Sequence, residues 1–157
     1  MKRILSVALI AFAITSTAAM AADKSTGTWK ANIEKTQYTP APWPVKSVTS
    51  VREAVPGGIK VTNTGERTDG TPINATYTAM YDGSPATVSG SGAPYDTVSI
   101  KQVSASTFTY DAKKTGGKYH GHGKLVISPD GNTMTLTASG TDADGKPMKV
   151  TLVYDKQ

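Results

Sequence analysis

Downstream of residue 27, apolar and polar residues alternate with a period of two in a succession of short segments. Ile59 and Val61, Val98 and Ile100, Phe108 and Tyr110, Met134 and Leu136, and then Met148, Val150, Leu152 and Tyr154 share one parity within their segments. Lys60, Thr62, Thr97, Ser99, Lys101, Thr107, Thr109, Thr133, Thr135, Lys149 and Thr151 take the other. Successive side chains of an extended chain point to opposite faces, so the pattern predicts a sheet that is dry on one side and wet on the other. After Ile14 no apolar pattern at helical spacing runs long enough to predict a helix. Asp69-Gly70, Asp82-Gly83, Asp130-Gly131-Asn132 and Asp144-Gly145 supply turns, because Gly accepts positive φ and an Asp carboxylate bonds to nearby amides. Strands are predicted over 27–33, 46–54, 58–66, 72–81, 86–90, 95–102, 106–113, 117–128, 132–141 and 147–156. The expected fold class is all-β, an antiparallel up-and-down meander barrel of 8–10 strands, since closure satisfies edge amides that a flat sheet leaves open. A two-sheet sandwich is the competing architecture, but only residues 34–45 offer a connection long enough to cross.

That connection reads EKTQYTPAPWPV, with Pro40, Pro42 and Pro44 around Trp43. Alternate prolines fix φ and remove amide donors, which excludes a regular helix or central strand and predicts an extended strap after the first strand. Trp43 then either overhangs the barrel mouth and touches a ligand, or plugs the core beside the strap. Two hairpins look alike at a constant offset: Lys60-Val61-Thr62, Gly65 and Asp69-Gly70 against Thr135-Leu136-Thr137, Gly140 and Asp144-Gly145. Two hairpins of equal length demand these residues in any case, and duplication of a half barrel is the lesser reading.

The first residues carry a different signal. Lys2 and Arg3 precede an apolar run over 4–14, and Ala19-Met20-Ala21 has the A-x-A form of a secretory cleavage site. Residues 1–21 are therefore expected to be a signal peptide of bacterial type and residues 22–157 a single β-barrel domain, exported to a periplasm or the extracellular space. The apolar run is short for a membrane span and no later stretch approaches one, so no stable membrane insertion is expected. Losing Lys2 and Arg3 leaves 15 of the 17 basic residues against 12 acidic ones. These charges alternate in sign, with Lys113, Lys114 and Lys118 as the one local cluster, which gives no concentrated basic face for nucleic acid. The absence of Cys excludes disulfides, thiolate metal sites and Cys nucleophiles.

Gly27-Thr28-Trp29-Lys30 opens the first strand and Val150-Thr151-Leu152-Val153-Tyr154-Asp155-Lys156 forms the last. A GxW opening strand and a closing Tyr strand around a meander resemble the calycin superfamily: lipocalins, fatty-acid-binding proteins and avidins. The resemblance implies that Gly27 lets the chain start against the barrel floor and that Trp29 packs across it. The proline strap stands where fatty-acid-binding proteins carry a helical lid, no terminal helix follows Tyr154 as in lipocalins, and avidins use more tryptophans than Trp29 and Trp43. With its exported start, the chain is similar to small exported bacterial lipocalin-like domains, which implies a fold rather than a ligand.

Many Thr, Ala, Ser and Gly residues leave room inside such a barrel. Tyr77, Tyr81, Tyr110, Tyr119 and Tyr154, with Phe108 and Trp43, are the candidate ligand-binding residues, suited to an apolar or amphipathic molecule such as a lipid fragment or aromatic metabolite. The alternative is a filled core in a non-enzymatic structural or protein-interaction module of the envelope. His120 and His122, two apart on one strand, face the same side and would need Asp96, Asp111 or Glu66 to complete a metal site; the simpler reading is an exposed hairpin strand. No metal or cofactor is assigned. G-x-S-x-G, H-E-x-x-H and P-loop motifs are all missing, and no enzyme is expected. Oligomeric state stays open.

Overall fold

The alternating segments do form strands. The computed structural model describes residues 23–157, so the expected signal peptide lies outside the described residues. Twelve strands follow in order: β1 (Gly27–Ala31), β2 (Gln37–Thr39), β3 (Val45–Val55), β4 (Gly58–Arg67), β5 (Pro72–Met80), β6 (Asp82–Thr87), β7 (Ser89–Ser91), β8 (Thr97–Ser104), β9 (Thr107–Lys113), β10 (His120–Ile127), β11 (Thr133–Thr141) and β12 (Pro147–Lys156). Every pairing is antiparallel, and the described residues contain no helix.

Around the barrel the order is β6-β8-β9-β10-β11-β12-β1-β3-β4-β5-β7, with β2 also on β12. The stretch from β6 to β7 joins the two ends of this path. Its first part pairs with β8, Thr87 opposite Thr97, and its last part with β5, Ser89 opposite Thr76. The sheet is thereby largely closed. Twelve strands replace the expected eight to ten for two reasons. The predicted strand over 86–90 is a longer stretch that changes neighbours at Val88 and so divides into β6 and β7. The strap, in turn, begins with a short strand of its own.

β1 and β2 lie on the same edge of β12. Ala31 faces Tyr154, residues 32–36 make a turn closed by the Thr36 amide on the Ile33 carbonyl, and Gln37 then resumes opposite Thr151. The first strand therefore stops at Ala31 rather than reaching residue 33. Pro40, Pro42 and Pro44 follow outside any ladder, as missing amide donors require.

The predicted inner face holds. Ile59, Val61, Val98 and Phe108 are fully buried, and Ile100, Met134, Met148, Leu152 and Tyr154 are buried with them. Burial of one such side chain contributes about 1.5–3 kcal/mol. Trp29, fully buried, donates its indole N–H to the Ser25 carbonyl at 2.9 Å, and the Lys156 ammonium stands 5.1 Å from its ring centroid. Gly27 has φ of 117°, a conformation that L side chains rarely adopt, so the opening strand favours a glycine here. Tyr81, Ser25 and Asp23 complete this closed end: the Tyr81 hydroxyl donates to the Asp23 carboxylate and lies 3.3 Å from Ser25 Oγ.

Candidate functional site

The end opposite Trp29 is open. A cavity of about 530 Å³ descends from it, covered by the strap and flanked by residues 92–95 and the turn between β11 and β12. Its floor and walls include Val48, Asn63, Ala75, Leu136, Val150 and Tyr154. The strands explain the space. Inward positions of β4 shrink toward the mouth from Ile59 through Val61 and Asn63 to Gly65, and those of β11 from Met134 through Leu136 and Ala138 to Gly140. These are the two hairpins whose sequences look alike. Both end in the same turn, the Gly70 amide on the Arg67 carbonyl and the Gly145 amide on the Asp142 carbonyl, each at 3.0 Å.

The strap crosses the mouth beside β3. β3 pairs with β4 as far as Val45, but with β1 only over Thr49–Arg52, and β2 pairs with β12 instead. The upper part of β3 thus has a free flank that the strap covers. Trp43 sits there half-buried, lining the cavity and packing against the core.

A deeper chamber of about 60 Å³ shares Asn63, Tyr95, Leu136 and Tyr154 with the large cavity and reaches Arg52, Tyr77, Phe108 and Tyr110. Of the candidate residues, Trp43, Tyr119 and Tyr154 line the outer cavity, and Tyr77, Phe108, Tyr110 and Tyr154 the chamber. Tyr81 lines neither of these two spaces. Its ring packs 5.0 Å from Phe108 at the closed end, where its hydroxyl holds Asp23.

Tyr95 bridges the rest. Its ring is edge-on to Tyr110 at 6.4 Å and tilted against Tyr119 at 5.8 Å. Burial pushes the Tyr95 and Tyr110 phenols well above their ordinary range, and the neighbouring phenols push further. Burial also raises Tyr119, to about 12, and raises Tyr77 and Tyr154 against the opposing charge of Arg52. Near neutral pH these tyrosines therefore present neutral hydroxyl groups that both donate and accept.

Arg52 is the residue that alternation did not reveal. It is 5% exposed, the sole buried charge among the described residues, and its Nε and Nη2 have no hydrogen-bond partner there. Its strand carries valine on both parities, Val45 and Val51 against Val48, so the inward set of Val48, Ser50 and Arg52 could not be distinguished by pattern. The taper toward Gly65 and Gly140 is the signal that could have located the cavity.

The histidines lie elsewhere. Both are exposed on β10, their rings 5.6 Å apart, and His120 Nε2 is 2.8 Å from Asp111 Oδ2. Asp96 is engaged by Thr115 and Lys114, which hold its carboxyl down to about 2, while Glu66 pairs with Lys46 at 2.9 Å. Among the described residues no three His, Cys, Asp or Glu side chains gather as a metal site. The glycines that alternate with the histidines face inward: Gly121 toward Tyr119 and Met148, and Gly123 so close on β11 that a Cβ would lie 1.9 Å from the Thr137 carbonyl oxygen.

No protein-family model matches the sequence, and no curated protein matches it either. Among solved structures, EF1p2_mFAP2b bound to DFHBI is similar with a TM-score of 0.50 at 14% identity, covering 87% of this chain and 97% of that one. A redesigned beta barrel, mFAP1, bound to DFHBI, aligns over 85% of this chain and 95% of its own, with a TM-score of 0.44 at 14% identity. At such identity the likeness concerns the fold.

Proposed function

We propose that this protein is a periplasmic or secreted binding protein for a small apolar or amphipathic ligand held inside the barrel, without catalysis. The observation that carries the proposal is the cavity of about 530 Å³, within the roughly 300–1,000 Å³ of small-molecule sites, with apolar walls and a few convergent polar groups. Such a space weighs against the alternative of a filled core. A barrel of similar fold bound to DFHBI supports the reading, and the signal-peptide pattern of residues 1–21 supports export.

Titration with the uncharged probe N-phenyl-1-naphthylamine tests it. Saturable one-to-one binding with enhanced emission is expected. Ala75→Phe, which extends a buried side chain into the cavity, should abolish that binding while the protein stays folded. Absence of saturable binding, together with a melting temperature unmoved by a panel of lipids and aromatic metabolites, would overturn the proposal.

A further inference from the structure

We infer that the ligand is an apolar carboxylate bound head-first, its carboxylate in the deep chamber against the Nε–Nη2 edge of Arg52; this rests on the ligand-binding reading of the cavity. A buried guanidinium is costly unless its charge and its N–H groups are answered. Here the charge is not, since Arg52 belongs to none of the ion pairs of the described residues, and although Tyr77 lies within hydrogen-bonding reach of the guanidinium, Nε and Nη2 are both buried without a partner. Asp23, the acid at the closed end, is engaged by Tyr81. The titratable side chains that share the chamber wall with Arg52 are tyrosines, kept protonated by burial.

The geometry of the unanswered atoms narrows the class. Nε and Nη2 form one edge of the planar guanidinium, and their N–H bonds run nearly parallel, which matches two oxygens of a single anionic group. The chamber, about 60 Å³, has room for a head of a few atoms, a water taking about 30 Å³ of the liquid. One cation balances one negative charge, so a monoanionic carboxylate is matched, whereas a phosphate dianion would bring a surplus charge into the same apolar surroundings. The walls shared with the large cavity leave the apolar body in line behind the head.

Three probes with one body test this: 2-naphthoate, 2-naphthylmethanol and 2-naphthyl phosphate. The intact protein should bind 2-naphthoate at least about 10-fold more tightly than the alcohol or the phosphate. Arg52→Met should weaken 2-naphthoate by about 10- to 100-fold and leave the alcohol unchanged. Arg52→Lys, which keeps the charge and loses the paired edge, should fall between. Equal binding of acid and alcohol overturns the inference while leaving the cavity reading standing, and tighter binding of the phosphate overturns the carboxylate assignment. If no probe of the three binds and N-phenyl-1-naphthylamine does not bind either, the cavity reading fails and the inference with it. Because the first comparison uses the unmodified protein, it decides even if Arg52→Met does not fold.

Discussion

At the closed end Trp29 from β1, Phe108 from β9, Ile59 from β4 and Met134 from β11 fill the section between the strands; toward the mouth β4 and β11 shrink to Gly65 and Gly140 and leave it empty. Backbone pairing continues through both ends, β4 with β5 from Gly58 to Glu66 and β10 with β11 from His120 to Ile127. The ladder therefore does not decide which end is solid. Side-chain volume does, and it is graded along individual strands, so that packing stabilises one end and the other is free to hold a guest. The closed end secures residues 23–25 as well, through the Trp29 indole on Ser25 and the Tyr81 hydroxyl on Asp23.

Three changes break or sharpen this contrast. Trp29→Ala should be the most damaging, removing about 3–5 kcal/mol of stability through the void it leaves in the solid end, read as a lower urea midpoint. Alkaline pH should act next, and on both ends. Burial raises all seven tyrosines above 10, so the native state holds their protons more tightly than the unfolded chain does. Their contribution is complete below pH 10 and is lost as pH climbs through the folded values, with Tyr119 at about 12. Urea midpoints should accordingly stay level with respect to tyrosine up to about pH 9 and fall above 10, less steeply in Tyr119→Phe. Trp43→Ala should be the mildest. Half-exposed at the mouth, the indole should cost about 1 kcal/mol or less, while probe dissociation, followed by stopped flow, accelerates several-fold.

Most of the architecture was legible because alternation and Asp-Gly turns act locally. The inner residues of β4, β8, β9, β11 and β12 lie where parity put them, and each Asp-Gly pair marks a reversal of the chain or, at Asp82-Gly83, the irregular start of β6. The site was less legible. Tyr95 has the parity of the outward-facing Thr97 and Ser99, yet it belongs to the loop before β8, where phase is not inherited from the strand, and it turns inward. Tyr81 follows the last residue of β5 and drops to the floor as the chain bends toward β6. Volume is a property of several strands together, so an open cavity could not be told from a filled core one segment at a time. The strap was foreseen from its prolines, but its anchor on β12 depends on a partner more than a hundred residues away in sequence, as Tyr38 opposite Val150 shows.

That anchor is slight: Gln37, Tyr38 and Thr39 opposite Thr151, Val150 and Lys149. Releasing these three pairs would uncover the interior without parting β1 from β12 or β3 from β4. Under the proposed function, the residence time of a guest would thus answer chiefly to the strap, and the survival of the fold chiefly to the long ladders beneath it.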